Sequence, residues 1–146
     1  MFSVKNFSVV FLLSFLATFP VFAAKAPLKV SLIMPASGYF SKMGVGLYQG
    51  LLASEELFPE LKSQIELKWV PSTESIAVLA TDTEKNIQEF KPDLIIGGVT
   101  SLQAMTISEI SEKYKIPFIA PYATNPHLKK KKNQTFTLCF NDNAQA

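Results

Sequence analysis

The chain has 146 residues, 48% of them hydrophobic and 18% charged, which suits one domain or one lobe of something larger. Its formal net charge of +2 is too balanced to point to a nucleic-acid partner. All 14 basic residues are lysine, so no guanidinium fork exists to clamp a phosphate or carboxylate. Any anion would have to be held by hydroxyls, backbone amides, helix ends or lysine.

Residues 1–24 carry one charge, Lys5, followed by the apolar run VVFLLSFLATF and the ending PVFAA. A basic start, an apolar stretch and small terminal residues read as a secretory signal peptide over residues 1–23. Cleavage after Ala23 leaves Val21 and Ala23 at the two small-residue positions, and Ala24 is the second choice. The alternative is an uncleaved anchor, since the uncharged residues 6–24 approach the minimum for a membrane span. Pro20 and the Ala-Ala ending favour removal. No cysteine lies near the junction, so a lipid-anchored form is not expected. The single Cys139 permits no internal disulfide.

Beyond the signal the chain alternates between strand and helix patterns. LKVSLIMP, residues 28–35, reads as a buried strand, followed by the glycine-bearing loop ASGYFSKMG. Leu47, Tyr48, Leu51 and Leu52 then recur at helical spacing between Ser41 and Leu57. IELKWV, residues 65–70, is the second strand, and the loop PSTES leads to a helix with Ile76, Leu79, Thr83, Ile87 and Phe90 on one face. LIIGG, residues 94–98, is a buried third strand, and its helix starts at Ser101 with Ala104, Ile107, Ile110 and Tyr114 inward. IPFIAP and TFTLCF, residues 116–121 and 135–140, are the fourth and fifth strands. Apolar runs separated by long, mostly helical connections predict an α/β fold, a doubly wound parallel sheet covered on both faces.

In such sheets ligands bind outside the carboxyl ends of the strands. That rule selects the loops at residues 35–44, 71–75, 97–101 and 121–127. In GGVTSL, Thr100 and Ser101 stand where a helix begins, and a helix start offers unpaired amides and partial positive charge. Such a start can hold a carboxylate without a charged side chain. Ser101 has two readings here, a hydroxyl donor to that anion or a plain helix cap. PYATNP has two as well. Thr124 offers a hydroxyl, Tyr122 and Ala123 offer backbone at a strand end, and Tyr122 offers a ring as a wall; against this, Asn125-Pro126 forms turns.

Enzyme chemistry finds little support. No GxSxG elbow surrounds Ser101 and no GxxxxGK[ST] phosphate loop is present. Gly44-Val45-Gly46 lacks the third glycine of a dinucleotide motif. His127 is the only histidine, so no metal set and no cofactor are expected. The lysine run at residues 129–132 reads as a solvated connection. Asn133-Gln134-Thr135 matches a glycosylation acceptor.

SLIMPASGYFSKMGVGLYQGLLA, DLIIGGVTS, IPFIAPYATNP and TFTLCFNDNAQA resemble, in order and spacing, the first lobe of periplasmic solute-binding proteins of the leucine/isoleucine/valine-binding type, which serve ABC importers. The resemblance runs from Lys29 to Ala146. It implies a protein of the type I periplasmic binding fold that binds amino acids or similar small polar solutes in a cleft between two α/β lobes. It further implies a periplasmic location and delivery to an ABC permease in the inner membrane. By position, Ser101 and Thr124 match hydroxyls that hold the ligand carboxylate, and Tyr122 matches a backbone contact. Met43 stands where an aromatic wall is common. The segment VPSTES replaces an acidic stretch, and Tyr39 a frequent proline, departures that bear on the ligand's identity and not on the site.

The resemblance makes residues 24–146 an N-terminal lobe without its second lobe. Half a cleft cannot close, which is expected to cost several kcal/mol of affinity. Such a chain is a fragment or a truncated, non-functional product. A ligand-sensing receptor ectodomain on the same fold is the other functional class compatible with these residues.

Overall fold

The computed structural model describes residues 26–128 and 134–145. The expected signal peptide, the lysine run and the expected acceptor Asn133 lie outside these residues.

The first strand, β1 (Leu28–Pro35), is buried from Val30 onward and leads through a loop to α1 (Ser41–Leu57). A short helix, α2 (Leu61–Gln64), then precedes β2 (Ile65–Ser72). Next come α3 (Ile76–Phe90), β3 (Leu94–Gly97), α4 (Ser101–Tyr114) and β4 (Phe118–Ala120). A 3₁₀ turn (Pro126–Leu128), β5 (Thr135–Thr137) and α5 (Asp142–Gln145) complete the described elements.

The five strands form one sheet in the order β2-β1-β3-β4-β5, with every pairing parallel. The chain moves from β1 to β2 in one direction and then across to β3 and β4 in the other. With right-handed crossovers, that reversal puts the first helix on one face and the next two on the opposite face. The packing agrees. Leu47, Tyr48 and Leu51 of α1 cover Leu32 and Met34, whereas Leu79, Ile87, Ala104 and Ile107 of α3 and α4 pack with Ile33, Ile95 and Phe118. The doubly wound α/β expectation is met. Two buried hydroxyl contacts sew the layers together: Asn86 Nδ2 donates to Ser31 Oγ at 2.7 Å, and Ser108 Oγ and Thr135 Oγ1 share a 2.7 Å bond.

Several boundaries differ from expectation for local reasons. β2 continues through Pro71 to Ser72 rather than stopping at Val70. It is an edge strand, where a proline forfeits no ladder bond on the outward side. β3 stops at Gly97 because Gly98 adopts φ +74°, a left-handed turn into the next loop. β4 and β5 keep only three residues each, since Pro117 and Pro121 bracket the fourth strand and the fifth diverges after Thr137. Leu52, expected on the inner side of α1, is 40% exposed. The two four-residue helices α2 and α5 had no pattern long enough to show a period.

Candidate functional site

Parallel pairing brings the carboxyl ends of all five strands to one edge. The strand order reverses between β1 and β3, so the loops after these two flank the topological switch point. The segment after β4 adjoins them, because β4 is the other neighbour of β3. Met43, Thr100, Ser101, Tyr122, Ala123 and Thr124 all lie on the three loops or helix starts of this rim.

Two glycines let α4 come close to the sheet here. A Cβ on Gly97 would lie 2.5 Å from the Ile33 carbonyl oxygen, and one on Gly98 would lie 2.7 Å from the Ala104 amide nitrogen. The start of α4 then satisfies most of its own amides. Thr100 is the N-cap residue, and its Oγ1 accepts from Gln103 N at 3.2 Å. The Gln103 Oε1 reaches back to Val99 N at 3.0 Å and Thr100 N at 3.3 Å, closing a capping box. Capping is therefore the work of Thr100 and Gln103, and Ser101 occupies the first helical position, half-buried. Its hydroxyl has no hydrogen-bond partner among the described residues. The amides of Ser101 and Leu102, the first two of the helix, are likewise not taken up by the cap. The Leu102 amide was absent from the residues singled out in the sequence, because a backbone donor leaves no trace in side-chain type.

The corner after β4 divides its labour residue by residue. Tyr122 packs into the layer under α1 and Ala123 into the layer under α3 and α4, so consecutive side chains anchor the loop to both faces. Ala123 as a whole residue is only 2% exposed, so neither its methyl nor its backbone opens onto the rim, against the expectation of a backbone contact there. Asn125 and Pro126 do form a turn: Asn125 Oδ1 accepts from His127 N at 2.9 Å, and the Asn125 carbonyl accepts from Leu128 N at 3.2 Å. Thr124 lends its carbonyl to Asp142 N at 3.0 Å, and its hydroxyl has no partner among the described residues. Cys139 Sγ donates to the Pro121 carbonyl at 3.2 Å, holding the segment after β5 against this corner.

The third side of the rim is the loop after β1. Ala36 N bonds to the Ser72 carbonyl at 3.1 Å, and Phe40 N bonds to Glu74 Oε1 at 3.1 Å. Met43 stands in the first turn of α1, 38% exposed. With Tyr39 at 87% and Leu102 at 60% exposure, the rim presents apolar surface beside its neutral donors. No group of three or more His, Cys, Asp or Glu able to hold a metal occurs among the described residues. A larger open depression, about 630 Å³, lies at the amino edge of the sheet. Its one ionisable group, Asp93, accepts from the Lys29 amide at 2.9 Å.

No helix among the described residues is long and apolar enough to cross a membrane. No protein-family model and no curated protein sequence matches the chain. Solved structures do. A leucine-binding protein LivK from Thermotoga maritima matches with a TM-score of 0.74 and 28% identity, over 81% of this chain and 34% of that one. A solute-binding protein of an ABC transporter from R. palustris, in complex with benzoate, matches with a TM-score of 0.72 and 27% identity, over 80% and 33%. The branched-chain amino acid substrate-binding protein LivJ from Streptococcus pneumoniae, in complex with isoleucine, matches with a TM-score of 0.71 and 24% identity, over 80% and 34%. The chain thus spans about a third of the length of these structures. Its described residues form one partial lobe of the type I periplasmic binding fold, similar to the leucine-binding type of ABC-transporter solute-binding proteins.

Proposed function

We propose that this protein is an exported solute-binding component of an ABC importer, and that it binds a small carboxylate by neutral donors at the rim described above. The observation that carries the reading is the division of donors at the start of α4. Thr100 and Gln103 consume the cap, while the Ser101 hydroxyl and the first two amides stay uncommitted at the positive end of the helix dipole. In this reading Ser101 and Thr124 donate to the ligand carboxylate, the backbone at Tyr122 completes the contact, and Thr100 holds the helix start in place. Met43 and the Tyr122 ring supply apolar walls. The exposed apolar rim favours an acid with a hydrophobic body, such as a branched-chain amino acid or an aromatic acid. Solved neighbours carry isoleucine and benzoate, which supports that class.

The rest of the proposal follows from the same likeness. Residues 1–23 act as the export signal, the mature protein resides in the periplasm, and its partner is a permease in the inner membrane. Binding and delivery, with no chemical step, make up the activity.

Calorimetric titration with L-leucine, L-isoleucine and benzoate, against leucinamide and benzamide as uncharged controls, tests the reading. Heat from at least one acid and none from its amide is expected. Ser101→Ala and Thr124→Ala each weaken that binding by about 1–3 kcal/mol, the range for a hydrogen bond to a charged group. Affinity unchanged in both variants would remove these residues from the site.

A further inference from the structure

Glu74 lies beyond the rim's donors, on the loop after the edge strand β2, yet it governs where the loop after β1 stands. The N-cap position of α1 is Phe40, whose side chain accepts nothing, and the first turn of α1 contains no acid. In a capping box the N-cap amide is accepted by the N3 side chain of the same helix, but here N3 is Met43, which has no such oxygen. The acceptor comes from elsewhere in the chain, as Glu74 Oε1 accepts from Phe40 N at 3.1 Å. A carboxylate at this point also meets the positive end of the α1 dipole.

Gly38 is shaped to admit that carboxylate. It adopts φ +83°, and a Cβ there would lie 2.5 Å from Glu74 Oε1 and 2.8 Å from Glu74 Cδ. The same glycine's carbonyl accepts from Ser41 N at 3.2 Å, closing the loop onto its helix. Ala36 N bonded to the Ser72 carbonyl fastens the other end of the loop to the same strand end. Residues 36–40 are therefore clamped between their own helix and the β2 loop, with Glu74 as the side-chain half of the clamp.

We propose that Glu74 is a positioning residue for the candidate site: through Phe40 and Gly38 it fixes the β1–α1 loop, and with it Met43, opposite the start of α4. This inference rests on the rim being the ligand site. It also explains how the rim's two helix starts differ. The chain's own carboxylate lies at the α1 start, whereas α4 is capped by neutral groups.

The test uses the full chain with Glu74→Ala, Glu74→Gln, Gly38→Ala and the double variant Gly38→Ala/Glu74→Ala. Hydrogen exchange and the chemical shift of the Phe40 amide are followed by NMR, and L-leucine and benzoate serve as calorimetric probes. Glu74→Ala is expected to speed Phe40 exchange about tenfold, the effect of losing one charge-assisted bond, with most protection restored in Glu74→Gln. Gly38→Ala should disturb Phe40 in both backgrounds, because φ +83° strains any L residue there, and more where Glu74 is present to be crowded as well. Probe affinity should fall about threefold to tenfold in Glu74→Ala and recover in Glu74→Gln. Unchanged Phe40 exchange in Glu74→Ala, or equal loss in the Gln variant, overturns the proposal. So does probe affinity indifferent to Glu74→Ala in a protein that binds the probe. A wild-type protein that binds neither probe counts against the ligand reading alone, and the Phe40 data then still decide whether the clamp exists.

Discussion

The cluster under α3 and α4 holds ten buried apolar side chains, among them Ile33, Ile95, Ile107 and Phe118, whereas the cluster under α1 holds Leu32, Met34 and Val99. The first face is roofed by two helices that also touch each other. The second relies on one helix, whose cover ends before the far side of the sheet. Phe136 pairs in register with Ile119, between Phe118 and Ala120 of the better-covered face, so alternation turns Phe136 to the α1 side. There it is 55% exposed, with Leu138 at 71% and Phe140 at 79%. The helix ends repeat the contrast. α4 carries its own capping box, and α1 borrows its acceptor from the β2 loop. The candidate rim thus stands between a helix start that caps itself and one that takes its acceptor from a neighbouring loop.

Truncating one aromatic on each face is the strongest way to break this comparison. Phe118 is completely buried, and Phe118→Ala should cost about 3–5 kcal/mol of unfolding free energy, as large core deletions do. Phe136→Ala, one strand away, should stay within about 0.5 kcal/mol. Urea denaturation of both variants measures the difference. Equal losses would mean that the α1 side is covered as well as its opposite.

Thr100→Ala gives a smaller and sharper effect. Loss of the cap acceptor should destabilise by about 1 kcal/mol, with Thr100→Ser close to neutral because the hydroxyl remains. Since Thr100 also sets the amides beside Ser101, the alanine variant should weaken ligand binding even where it folds fully. A cap loss that left binding intact would separate the helix start from the site.

Much of this architecture could be read from residue patterns. The buried strands around Leu32, Ile95 and Phe118 are apolar runs bounded by Pro and Gly, and the inner faces of α3 and α4 follow helical spacing through Leu79, Thr83, Ile87, Ala104 and Ile107. The rim follows from strand order and parallel pairing. What escaped reading was long-range or had no side chain. Pro71 looks like a strand stop unless β2 is known to be an edge. Ser101 looks like a cap until Thr100 and Gln103 are seen closing the box. The tie from Glu74 to Phe40 joins residues far apart in sequence, so no local motif announces it. Ser101 and Thr124 were nameable because hydroxyls at strand ends have a recognisable chemistry, while the open amide of Leu102 had none to show.

The smallest expected effect concerns the helix pair that makes the better-covered face. Lys113 of α4 bonds Glu84 of α3 at 2.9 Å, with side chains 63% and 40% exposed. The Glu84 partner raises the Lys113 pKa above its ordinary value of 10.5, chiefly through that hydrogen bond. A raised lysine pKa means a contribution fully present below the unfolded value, and lost as pH rises through the folded one. Across neutral pH the difference between the wild type and Lys113→Gln should therefore be flat, and on the alkaline side it should fade in strongly alkaline solution. Because both groups face water, that difference should be near the limit of detection and should shrink as salt is added. Denaturation midpoints at low and high ionic strength check it. A large, salt-insensitive loss would show that α3 and α4 need the ion pair to stay together, and the face would no longer owe its strength to burial.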